Sequence, residues 1–126
     1  MARPRDWLQL GLLWKDQGVS DGQQIIHPDI IDQATSPSER NPNYGWQIWR
    51  GETYEPKRYY NEDQTGIGIP ASAPYGVDDL IFFDGFGGQR VYISKKEDLV
   101  IVRMGDARMD WDDAVLPNLV LEALNE

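Results

Sequence analysis

Residues 80–93 constrain the fold more than any other stretch, because three glycines, Gly85, Gly87 and Gly88, lie within four residues between two apolar runs. The flanks, Leu80-Ile81-Phe82-Phe83 and Val91-Tyr92-Ile93, have the β-branched and aromatic character of buried strands. Glycine weakens a strand interior, since it adds backbone entropy and offers nothing to pack. Three of them here predict a bulge, or a point where a second backbone or a ligand comes close. A third apolar run, Leu99-Val100-Ile101-Val102, follows a five-residue polar link over residues 94–98. Links that short join antiparallel neighbours, so the pattern predicts an antiparallel meander with a glycine-opened strand on one side.

The rest of the chain predicts helices around that sheet. Pro4 suits a first helical turn, Gly18 stops the helix, and Trp7, Leu10, Leu13 and Trp14 form a stripe over residues 4–17. Apolar residues also occupy a second face, which predicts cover on more than one side. Asp21-Gly22 signals a turn with a short extended piece after it, and Pro28 opens a short helix carrying Ile30, Ile31 and Ala34. Residues 35–43 read as loop. Tyr44, Trp46 and Ile48 alternate as on one face of a strand over residues 44–49, more in keeping with core than with a pocket wall. Residues 51–77, broken by Pro56, Gly66, Gly68, Pro70, Pro74 and Gly76, are irregular and are read as a functional or mobile loop. Pro117 places the start of a closing helix near itself, with Leu116, Val120, Ala123 and Leu124 as its packing stripe. Asp110, Asp112 and Asp113 are read as a solvated helix entrance rather than a metal site.

Charge and composition exclude several functions. With 21 carboxylates against 12 Lys and Arg, the net charge is −9, which opposes nucleic acid and anionic membrane surfaces. No apolar run approaches the ~20 residues of a membrane span, and no apolar stretch follows Arg3 and Arg5 to make a signal peptide. The compartment stays open. Zero cysteines remove disulfides and thiolate metal sites, and the single histidine, His27, beside Pro28, reads as a helix start rather than a ligand. No metal or cofactor is expected.

Gly85-Phe86-Gly87-Gly88-Gln89, then Arg90-Val91-Tyr92-Ile93 and residues 98–103, resemble the C-terminal part of β-lactamase-related serine hydrolases. The nearest branches are the 6-aminohexanoate-dimer hydrolase type and its esterase relatives, which share a fold with class C β-lactamases. Residues 5–13, Asp21-Gly22, Ala34-Thr35 and residues 44–49 match other landmarks of that family in order and spacing, so the resemblance covers nearly the whole chain. It implies an α/β (α+β) fold: an antiparallel sheet of three to four strands flanked by N-terminal and C-terminal helices, part of a β-lactamase/transpeptidase-like fold. Residues 1–126 would be a single C-terminal segment of it.

The family's nucleophile is a serine in a Ser-x-x-Lys turn. None occurs: Ser20, Ser36, Ser38, Ser72 and Ser94 are followed three residues later by Gln23, Glu39, Asn41, Tyr75 and Glu97. Tyr59-Tyr60-Asn61 matches the family's Tyr-x-Asn literally, yet the family's tyrosine lies upstream of the segment represented here, so the match is read as chance. The chain is therefore expected to be inactive alone, completed by a missing N-terminal half or self-associating through an open edge.

By position the family's Lys-Thr-Gly motif falls on Phe83-Asp84-Gly85, which implies that the Phe86 backbone N–H donates to the oxyanion. Gly85 and Phe86 are then the catalytic candidates, with Asp84, Gly87, Gln89 and Tyr59 as substrate-binding candidates. The motif has neither lysine nor histidine, so the substrate implied is a small ester or amide rather than a β-lactam. The plainer reading of the glycines is close packing, and that of Gln89 is a bond to a backbone group. Tyr54, Tyr59 and Tyr60 are candidates for a pocket rim, because loops carry function. Lys57 and Arg58 read as a solvated charge pair, with attraction of an anionic substrate as the alternative.

Overall fold

The structure, a computed structural model, describes residues 2–52, 57–60, 63 and 65–126. Its centre is a four-stranded antiparallel sheet built from β3 (Trp49–Arg50), β6 (Ile81–Gly85), β7 (Gln89–Ser94) and β8 (Leu99–Arg103), in that order across the sheet. The meander is therefore as the apolar runs predict. Its register pairs Phe82 with Tyr92 and Phe83 with Val91, then Tyr92 with Ile101 and Val91 with Val102. Alternation thus sends Phe82 and Tyr92 to one face and Phe83 and Val91 to the other.

Each face is covered. Helix α1 (Pro4–Lys15) lies on the Phe83 and Val91 side, where a Cβ on Gly11 would come within 2.6 Å of Val100 Cγ1 and 3.0 Å of Val91 Cγ1. Glycine there lets the helix approach the strands closely, and Trp14 meets Phe83 edge-on at 5.9 Å. Gln17 and Gly18 end the helix in left-handed conformation, with the Gly18 N–H donating to Leu13 O at 2.8 Å and the Gln17 N–H to Trp14 O at 3.2 Å. On the other face Phe82 and Tyr92 pack with Trp49, Val77, Leu80 and Leu121, the last from helix α3 (Val115–Leu124). Helix α3 begins two residues before Pro117. Its buried contacts are Pro117 and Leu121, while Ala123 and Leu124 of the expected stripe are exposed. Pro117 sits in the first turn, where its missing N–H costs nothing, and this brings Leu121 one turn later onto the sheet.

The smaller elements follow local chemistry. Asp21 and Gly22, both left-handed, turn β1 (Val19–Ser20) into β2 (Gln23–Gln24). Helix α2 (Pro28–Thr35) starts at His27, whose ring accepts a bond from the Asp29 N–H at 3.3 Å. The 44–49 segment departs from the expected strand. Gly45 N–H donates to Ile48 O and Gln47 adopts φ 60°, so the chain doubles back, and only Tyr44 and Trp49 bridge. The cause is contact with α2. Trp46 N–H donates to Ala34 O at 2.9 Å, and a Cβ on Gly45 would lie 2.1 Å from that oxygen. Ile48 and Trp49 are buried as a result, whereas Trp46 is 59% exposed. Within 51–77, β4 (Lys57–Arg58) pairs with β5 (Ile69–Pro70), so this stretch is partly regular. No helix among the described residues is long and apolar enough to cross a membrane.

Candidate functional site

The β6–β7 ladder ends at the pair Gly85 and Gln89, and the main chain crosses between the strands in a tight turn through Phe86, Gly87 and Gly88. Gly87 (φ 68°) and Gly88 (φ 79°) are both left-handed, a conformation that side chains oppose. Each also faces a neighbour: a Cβ on Gly87 would be 2.6 Å from Ala107 Cβ, and one on Gly88 would be 2.8 Å from Trp111 Cβ. The Gly87 carbonyl accepts from the Arg108 N–H at 2.8 Å and from Arg103 Nη1 at 3.1 Å. Phe86, by contrast, is 79% exposed. Beside it opens a cleft of about 160 Å³ lined by Tyr60, Ile69, Arg108, Met109 and residues 84–88. On the α1 side of the same strand end a second cleft, of about 240 Å³, is walled by Trp7, Phe83, Val91 and Met104.

Beneath the turn lies a ring of four buried charges. Arg58 Nε donates to Asp113 Oδ2 at 2.7 Å and Arg58 Nη2 to Asp84 Oδ2 at 2.8 Å. Arg90 Nε donates to Asp113 Oδ1 at 2.9 Å, and Arg90 Nη1 meets Asp84 Oδ1 at 2.5 Å. The charges alternate and cancel, which is what allows four such groups below 9% exposure in one place. Arg58 also lies over the Trp49 ring, 4.1 Å from its centroid, and within 5.3 Å of the Tyr60 and Phe82 rings. Its Nη1 has no hydrogen-bond partner among the described residues and rests in an aromatic surround. Burial alone would lower the Arg58 pKa, but the charges of Asp113 and Asp84 and the bonds to them raise it, so the cation is fixed. Tyr60 closes the ring from above, its hydroxyl donating to Asp84 Oδ2 at 2.9 Å. Burial and the Asp84 charge push that phenol above its ordinary value.

The sequence-derived candidates fall into three groups. Gly85, Phe86 and Gly87 meet at the mouth of the smaller cleft together with Asp84. Asp84 is bound to Arg58, Arg90 and Tyr60, so its carboxylate is engaged within the protein. Gln89 uses both ends of its amide on Gly105: Nε2 donates to the carbonyl at 2.9 Å and Oε1 accepts from the N–H at 3.0 Å. The Tyr59 ring packs 3.2 Å from the Cβ position of Gly68 and does not line the cleft, whereas Tyr60 does. Tyr54, and Asn61 of the Tyr-x-Asn match, lie outside the described residues.

Two expectations are corrected. Arg58 is not a solvated partner of Lys57 but is 1% exposed, because β4 turns it inward onto Asp113. Asp113 is not part of a solvated helix entrance either. It is fully buried between two guanidinium groups, while Asp110 alone of the three is exposed, paired with Arg108. Asp112 accepts from the Ala114 and Ser72 N–H groups at 3.0 Å each, tying the start of α3 to the loop over 71–73. Arg90 was legible in principle. An arginine inside an apolar strand run, on the same face as Tyr92, demands a buried carboxylate, and Asp84 stands directly across from it. Arg58 and Asp113, 55 residues apart, carry no local signal.

Comparison with protein-family models and with curated proteins gives no match to this chain.

Proposed function

We propose that this chain forms the oxyanion side and part of the pocket wall of a serine hydrolase acting on simple ester or amide bonds. The hydroxyl nucleophile, its general base and the catalytic tyrosine belong to other polypeptide, since no Ser-x-x-Lys occurs here. One observation carries the reading: the ladder stops at Gly85, and the exposed Phe86 follows it at the mouth of a cleft. An amide just past the end of a strand ladder, aimed at a developing oxyanion, would fill a role that contributes roughly 3 kcal/mol to a barrier. The reaction is attack of a serine oxygen on the substrate carbonyl, release of the alcohol or amine, and attack of water on the acyl-enzyme, with no cofactor. The apolar cleft beside Trp7 and Phe83 suits the acyl or alkyl portion. A net charge of −9 disfavours anionic substrates, which fits the absence of a cation in the Phe83-Asp84-Gly85 motif.

A second reading is favoured by the close fit of Gly87 on Ala107 and of Gly88 on Trp111, which accounts for those glycines without any ligand. The chain is then a catalytically silent remnant or an interaction module. A chromogenic short-chain ester separates the two, incubated with the chain alone and with a separately expressed polypeptide that carries a Ser-x-x-Lys turn. Turnover only in the mixture supports the hydrolase. Turnover by the isolated chain contradicts it, and no turnover in either supports the silent module.

A further inference from the structure

We infer that Arg90 is a positioning residue that sets the direction of the Phe86 N–H through the peptide bond between Gly85 and Phe86. This rests on the hydrolase reading for its catalytic consequence, but the geometry stands by itself. Arg90 Nη1 donates to the Gly85 carbonyl at 3.0 Å and to the Gln89 carbonyl at 2.9 Å, gripping both sides of the last pair in the ladder. The Gly85 carbonyl and the Phe86 N–H belong to one planar trans unit, in which they point in opposite directions. A carbonyl held toward the Arg90 guanidinium therefore turns the N–H away from that guanidinium. Among the described residues β3 pairs with β6 at Ile81 and Phe82, well short of Phe86.

The grip is stiff because Arg90 is itself held. It is 2% exposed, and its guanidinium is fixed by Asp113 through Nε and by Asp84 through Nη1. Arg58 in turn locks both carboxylates. A cation bonded to a peptide carbonyl also polarises that peptide, which strengthens the N–H at its other end as a donor. Four charges from β4, β6, β7 and the residues before α3 thereby act on one amide, and none of them needs to touch a substrate.

The test uses the full chain labelled with ¹⁵N and ¹³C. In the wild-type protein the Arg90 Nη resonances are expected to be separately resolved at low temperature, with a coupling across the hydrogen bond to the Gly85 or Gln89 carbonyl carbon. In Arg90→Lys, which keeps the charge but loses the fork, the residual dipolar coupling of the Phe86 N–H is expected to change while those of Ile101 and Val102 stay as in wild type. In the complemented ester assay the same variant lowers kcat by about 10- to 100-fold and leaves KM within about twofold. A freely averaged Arg90 guanidinium in the wild type, or an unchanged Phe86 coupling in folded Arg90→Lys, overturns the inference. If Arg90→Lys fails to fold, the wild-type guanidinium measurement decides alone. A shifted Phe86 coupling with no turnover in the complemented wild type upholds the positioning and removes the hydrolase reading instead.

Discussion

Replacing Asp113 by alanine tests the charge ring most directly. The carboxylate is fully buried and bonds Arg58 at 2.7 Å and Arg90 at 2.9 Å. Its removal leaves two buried guanidinium groups with Asp84 as their one remaining partner in the ring, a net buried positive charge. Breaking a buried ion pair in this way costs about 3–5 kcal/mol, mostly as the penalty of the uncompensated charge. With a urea m-value near 2 kcal/mol/M, the unfolding midpoint falls by about 1.5–2.5 M. Tryptophan fluorescence reads the transition well, because Trp49 is buried and has the Arg58 cation stacked on it. Asp110→Ala, at the exposed partner of Arg108, is the control and is expected to leave the midpoint unchanged. A midpoint for Asp113→Ala within about 0.5 M of wild type, with an unaltered m-value, would refute the claim that Asp113 compensates two buried guanidinium charges.

Two further outcomes follow from the same geometry. Gly87→Ala places a Cβ 2.6 Å from Ala107 in a left-handed backbone, so it is expected to cost about 1–3 kcal/mol and to raise amide exchange at Arg108, whose N–H bonds the Gly87 carbonyl. Unchanged exchange at Arg108 would show that the 106–111 segment is held by other contacts. Tyr60 titrates above its ordinary value of 10.0, through burial and the Asp84 charge, so its folded pKa exceeds its unfolded one. Its contribution to stability is then fully present below the unfolded pKa and is lost as pH rises through the folded pKa. Spectrophotometric titration of phenolate should lose one of its late-ionising phenols in Tyr60→Phe, the other being Tyr92, which burial holds well above its ordinary value, and a loss from the early portion instead would contradict the bond to Asp84.

The parts of the fold that were legible in the sequence are those with local causes. Apolar runs separated by a short polar link predict β6, β7 and β8, and Pro4, Gly18, Asp21-Gly22 and Pro28 mark the ends and turns of the first third. What was illegible depends on contacts between distant residues. Tyr44, Trp46 and Ile48 alternate like a strand, yet Ala34 O occupies the space a side chain at residue 45 would need, and the chain folds back. Leu121 was missed because α3 turns its Pro117 and Leu121 side, rather than its Ala123 and Leu124 side, onto the sheet. At the site, the close approach at Gly87 and Gly88 could be read from sequence, although these glycines form the turn between β6 and β7 rather than an opening within a strand, and of the tyrosines offered for the rim it is Tyr60, not the favoured Tyr59, that lines the cleft. The inward turn of Arg58 could not, because its partners Asp84 and Asp113 lie 26 and 55 residues further along the chain.

A closed circuit of two arginines and two aspartates also restricts how this sequence can drift. Exchanging Arg58, Asp84, Arg90 or Asp113 singly strands an opposite charge in the interior, so tolerated change should come as matched replacements, two or four at a time. Descendants of this chain should therefore keep the whole quartet or lose it together in favour of apolar side chains of similar volume, with few intermediates surviving between those endpoints.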